Sequence, residues 1–154
     1  MKKTLLLLLL CVVELGVSAQ TTKTQDQLLM RSKIEQFLKE EGYMPTINQQ
    51  DQSVEFKKEG ELFWIDVYGD EPYYLEFHRA GLGVTDADLD LVRKACNYAN
   101  LKHGCAKAYL TDTGVKFEAG IYVHSFDIFK KVFGSYLKSL ISLSQSVKDY
   151  YVNN

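Results

Sequence analysis

The chain has 154 residues, 46% hydrophobic and 25% charged, with 18 Lys and Arg against 20 Asp and Glu, 2 Pro and 10 Gly. Those proportions exclude disorder, collagen and low-complexity repeats, and a chain of this size buries roughly two-thirds of its unfolded surface without a disulfide scaffold or structural metal. A net charge of −2 and a pI near 5.9 provide no basic field for phosphates, so nucleic acid is not among the expected partners.

Residues 1–19 have the order of a signal peptide. Lys2 and Lys3 precede the apolar run from Leu5 to Val13, and Val17, Ser18 and Ala19 supply small residues before a cleavage point. Nine apolar residues rise only about 14 Å as a helix, far short of a ~30 Å hydrocarbon core, so no membrane span is predicted. Cys11 has Leu10 before it, where a lipoprotein signal needs a small residue. Cleavage would leave residues 20–154 as a single exported domain, periplasmic or extracellular, of net charge −3.

The mature chain begins with an amphipathic helix from Thr24 to Glu41, with Met30, Ile34, Phe37 and Leu38 on one face and Gly42 as its stop. Three strands follow, Val54–Phe56, Leu62–Tyr68 and Tyr73–His78, separated by turn residues at 57–60 and 69–72. Thr85 and Asp88 form an approximate capping box before a second helix carrying Leu89, Val92, Cys96 and Ala99, which Gly104 closes. Two further strands, Cys105–Leu110 and Val115–Val123, flank the turn at 111–114. Ser125 caps a final helix whose apolar stripe runs through Phe126, Phe129, Phe133, Leu137, Leu140 and Val147. The predicted class is α+β, an antiparallel sheet with helices packed mainly on one face, in the order α-β-β-β-α-β-β-α.

Alternation sorts the two faces of that sheet. Phe63, Ile65, Val67, Tyr73, Leu75, Phe77, Phe117, Ala119 and Ile121 share the phase that helices should cover. The other phase carries Trp64, Asp66, Tyr68, Tyr74, Glu76, His78, Lys107, Tyr109, Lys116, Glu118 and Tyr122, the mixture of an uncovered face. Tyr and Trp bury large area at low rotamer cost, which makes Trp64, Tyr68, Tyr74, Tyr109 and Tyr122 the candidate partner-binding residues. The same aromatics also stabilise a solvated sheet by cross-strand pairing.

Catalytic and metal motifs are weak. Asp86, Asp88 and Asp90 imitate an EF-hand opening but lack its Gly and Glu, and read better as helix-start acids. Gly81-Leu82-Gly83 lacks the remainder of a phosphate loop and reads as a connector. His78 with Glu76 or Asp66 could form an acid-base pair on one face, and Ser125 adjoins His124 at a helix cap, yet neither set makes a convincing catalytic constellation. His78, His103 and His124 are too scattered to indicate zinc, so no cofactor, metal or enzymatic activity is predicted. Cys96 and Cys105 leave two readings open: a bridge adding roughly 2.5 to 3 kcal/mol, or two free thiols.

The phrases Ile34-Glu35-Gln36-Phe37-Leu38-Lys39-Glu40-Glu41-Gly42-Tyr43, Val54-Glu55-Phe56-Lys57-Lys58-Glu59-Gly60 and Phe63-Trp64-Ile65-Asp66-Val67 resemble the YbjN-type domain. That family shares the fold of type III secretion chaperones. The resemblance extends through the second helix and the Phe-rich last helix. It implies an α+β domain that often dimerises and binds protein segments, sometimes described as a regulator of sensory transduction, with no catalytic residues to transfer. Type III chaperones act in the cytoplasm, whereas residues 1–19 would export this chain. The expected function is therefore an exported, non-enzymatic protein-binding or chaperone-like module, and a homodimer in which Tyr150 and Tyr151 could pack on a second subunit. The alternative is a small-molecule binder or weak hydrolase with a pocket at the sheet edge near His78 and Gly81–Gly83.

Overall fold

A computed structural model describes residues 23–81, 83–84 and 88–154. Residues 1–22, 82 and 85–87, which include the predicted signal peptide, Thr85 and Asp86, lie outside the described residues.

Helix α1 spans Gln25–Glu40. The Thr24 side chain accepts the Gln27 N–H while the Gln27 side chain returns to the Thr24 N–H, a complete capping box. Gly42, at φ +87°, ends the helix in a Schellman arrangement, with Gly42 N–H donating to the Lys39 carbonyl and Tyr43 N–H to that of Leu38. Four strands follow: β1 (Thr46–Ile47), β2 (Val54–Lys58), β3 (Glu61–Tyr68) and β4 (Tyr73–Arg79). The β2–β3 hairpin turns through Glu59 and Gly60, both at positive φ, as its two-residue loop requires. Strand β1 is an addition to the predicted order. Two residues are too few to show alternation, and the loop after them is held by the side chains of Asn48 and Asp51, which accept from Gln50 N–H and Ser53 N–H.

Helix α2 spans Leu89–Lys102, followed by β5 (Lys107–Thr111), β6 (Gly114–Val123) and α3 (Phe126–Val152). Asp88 stands at the N-cap of α2 with no side-chain capping bond, and the predicted capping box, which needs Thr85, lies outside the described residues. Ser125 does cap α3, its hydroxyl accepting the Ile128 N–H, and the 27-residue helix runs about 40 Å.

The six strands form one antiparallel sheet in the order β1-β2-β3-β4-β6-β5. The helices pack against the face carrying Phe63, Ile65, Leu75, Phe77 and Phe117, all buried with Ile34, Leu38, Phe129, Phe133 and Leu140 in one core. Phe37 meets the rings of Phe129 and Phe133 edge-on at 5.5 and 5.3 Å, joining α1 to α3. Both sheet edges are partly blunted. The β1 edge is two residues long, and on β5 the Asn100 amide both donates to the Ala108 carbonyl and accepts its N–H, each at 2.8 Å.

The two thiols are not bonded. Cys96 is buried in the core, where burial pushes its pKa up, while Cys105 precedes β5, is exposed and donates to Ser139 Oγ at 3.2 Å. Tyr150 packs against Tyr98 with ring centroids 4.9 Å apart and planes tilted by 42°, and Tyr151 hydrogen-bonds to Asp88, so both use within the chain surface that the sequence offered to a second subunit.

Candidate functional site

The uncovered face of the sheet is built by register. Three rows cross it: Trp64, His78, Glu118 and Lys107; then Asp66, Glu76 and Gly120; then Tyr68, Tyr74 and Tyr122. The four tyrosines and Trp64 singled out above all lie on this face. They divide into two groups with acidic ground between them.

The first group is a ladder of three tyrosines. Tyr74 lies 6.3 Å from Tyr68 and 4.8 Å from Tyr122 by ring centroids, and Tyr122 is 67% exposed. Gly120 makes the ladder possible, because a Cβ there would stand 2.1 Å from the Tyr74 hydroxyl. Lys23 places its ammonium 4.7 Å from the Tyr68 ring centre while donating to the Val67 carbonyl at 2.8 Å. Partial burial, with Asp66 and Glu76 close by, pushes the Tyr68 hydroxyl up to about 12.

The second group is Trp64 with Tyr109. Trp64 stacks on the His78 ring at 4.9 Å with planes 17° apart. Tyr109 donates to Glu118 at 2.6 Å, and burial together with that bond raises its pKa. Lys116 approaches the same Glu118 at 3.6 Å.

Between the groups lie Asp66, Glu76 and His78. Asp66 and His78 are buried although no helix covers this face, so the middle of the predicted open surface is not open. His78 Nε2 stands 3.2 Å from Asp66 Oδ2 and 3.5 Å from Glu76 Oε2, yet neither ring nitrogen has a hydrogen-bond partner among the described residues. One ligand atom from each of the three residues lies within 4.8 Å of the others, which the scatter of histidines in sequence did not reveal. The Tyr74 hydroxyl bonds to Glu76, which raises the tyrosine's pKa.

The other sequence candidates are dispersed. His124 is exposed, and Ser125 is occupied with capping α3. Asp90 pairs with Arg93 at 3.0 Å in the first turn of α2, as a helix-start acid. Gly81 and Gly83 border a cleft of about 330 Å³ with Trp64, Arg79 and Lys116, and Gly83 also lines an apolar cleft of about 460 Å³ against α2 and α3. His78 lines neither. Gly81 is there for packing, since a Cβ would fall 1.3 Å from the Val115 carbonyl oxygen.

The described residues thus form a one-sided α+β domain whose uncovered sheet face is aromatic and acidic. Residues 31–148 match the model of the YbjN family, described as "Putative bacterial sensory transduction regulator", and the chain belongs to that family. Among solved structures it is similar to that of YbjN from E. coli, described as "a putative transcription regulator". The likeness has a TM-score of 0.60 at 13% identity over 80% of this chain and 92% of that one, and concerns the fold. No curated protein matches the sequence. No helix among the described residues is long and apolar enough to cross a membrane.

Proposed function

We propose that this chain is an exported, non-enzymatic regulator-type domain that works by holding a protein partner on the outer face of its sheet. The observation that carries the reading is the tyrosine ladder Tyr68–Tyr74–Tyr122, ordered by strand register and left without a covering helix. Trp64 and Tyr109 extend the same face.

The partner chemistry follows from what the rings already do. Lys23 sits over Tyr68, Lys116 lies 6.0 Å from the Tyr109 ring centre, and carboxylates lie between the aromatic groups. Such a face suits an extended segment with Lys or Arg side chains, whose stems and cationic ends lie over the exposed rings. The short β1 strand and the Asn100 amide on Ala108 limit strand addition at the two edges, which favours docking on the face.

The test is capture from the native envelope fraction by the wild-type protein and by a Tyr74→Ala/Tyr122→Ala variant of equal fold content. A basic partner retained by the first, lost by the second and released by salt supports the reading. Equal capture by both, or none by either, contradicts it.

A further inference from the structure

We propose that Asp66, Glu76 and His78 form a binding site for one divalent transition-metal ion of the zinc type on the outer face of the sheet. The proposal goes beyond the docking reading and rests on the middle row of the face, not on the exposed tyrosines.

The donor set is one imidazole and two carboxylates, a combination zinc accepts with a fourth position left to water. A tetrahedral ion with bonds of about 2.1 Å separates its ligand atoms by roughly 3.4 Å. The Nε2–Asp66 and Nε2–Glu76 separations are 3.2 and 3.5 Å, two edges of such a tetrahedron, and the three ligand atoms all lie within 4.8 Å.

Charge and burial argue in the same direction. His78 is 1% exposed with neither nitrogen hydrogen-bonded, and Nε2 points between two carboxylates, one of them buried. Unpaired buried polar groups and charges are expensive. An imidazolium would neutralise one of the two carboxylates, whereas a dication neutralises both and uses the imidazole lone pair.

The surroundings resemble a second shell. Trp64 stacks on the imidazole and fixes its plane, and the Tyr74 hydroxyl, seated over Gly120, bonds to Glu76. The remaining nearby charges are engaged elsewhere: Glu118 with Tyr109 and Lys116, and Lys23 with the Val67 carbonyl and the Tyr68 ring.

Trp64 is the only tryptophan in the chain, so its emission reports on the imidazole it covers. Purified protein stripped with chelator is titrated with Zn²⁺ while Trp64 emission is followed, and with Co²⁺ for the visible absorption of a tetrahedral site. The expected result is saturation at one equivalent, weakened about tenfold or more by Asp66→Asn or Glu76→Gln and unchanged by Cys105→Ser. Glu76 is partly exposed, so its variant is the one that leaves folding intact. The proposal is overturned by no saturable response, by a response that survives both carboxylate variants, or by one that disappears in Cys105→Ser. Partner capture measured with and without chelator separates this site from the docking reading, since either can fail with the other intact.

Discussion

The two faces of the sheet use the same strands and opposite chemistry. On the inner face Phe63, Ile65, Phe77 and Phe117 are closed off by the helices, and exclusion of water explains these four residues. On the outer face the alternate positions carry tyrosines, a tryptophan and carboxylates, and Asp66 and His78 are nevertheless buried. Burying polar groups where no core demands it opposes stability. The inner face accounts for the fold, and the outer face carries the features on which the two proposals rest.

The largest effects should come from the inner side. Phe77→Ala or Phe129→Ala removes a fully buried ring and should cost about 3–5 kcal/mol in denaturant unfolding. Gly81→Ala should be comparably damaging, because the neighbour its methyl would strike is the Val115 backbone carbonyl, which has no rotamer to change. If Phe77→Ala were tolerated, the division between the faces would be wrong.

Next in size is the outer face. Tyr122→Ala should change stability by less than about 0.5 kcal/mol, as an exposed position does, while reducing partner capture severalfold. Gly120→Ala should displace the flexible end of Tyr74 without unfolding the sheet, and so weaken both capture and Zn²⁺ binding. Removing a positive neighbour of Asp66 by Lys23→Gln should strengthen Zn²⁺ binding a few-fold in the Trp64 titration.

The smallest effect concerns pH. Tyr109 has a folded pKa raised above its ordinary value of 10.0, so its contribution is fully present below pH 10 and is lost as pH rises beyond it. Thermal melts from pH 9 upward should therefore fall less steeply in Tyr109→Phe than in wild type.

Most of the inner architecture is legible in the sequence because period-2 and period-3.6 apolar spacing survive without knowledge of partners. The eight longer elements are of this kind, while the Ser125 cap and the Gly42 stop are legible from residue type alone. Strand β1 is not legible, since two residues carry no period. The tyrosine face is visible as an alternation, but its division by Asp66, Glu76 and His78 is not. Those three residues meet only when the hairpin after Tyr68 fixes Asp66 opposite Glu76, and a one-residue slip would scatter them. The sequence already sets His78 beside Glu76 or Asp66 on one face, and what it lacks is the register that brings all three together.

The central claim is that the outer face, and not the helical side, meets the partner. The direct measurement is photo-crosslinking in the native envelope with p-benzoylphenylalanine replacing Tyr122 on the outer face or Leu101 on α2, both exposed positions. The account predicts a discrete protein adduct from position 122 and none from position 101. An adduct from position 101 with none from position 122 would contradict it.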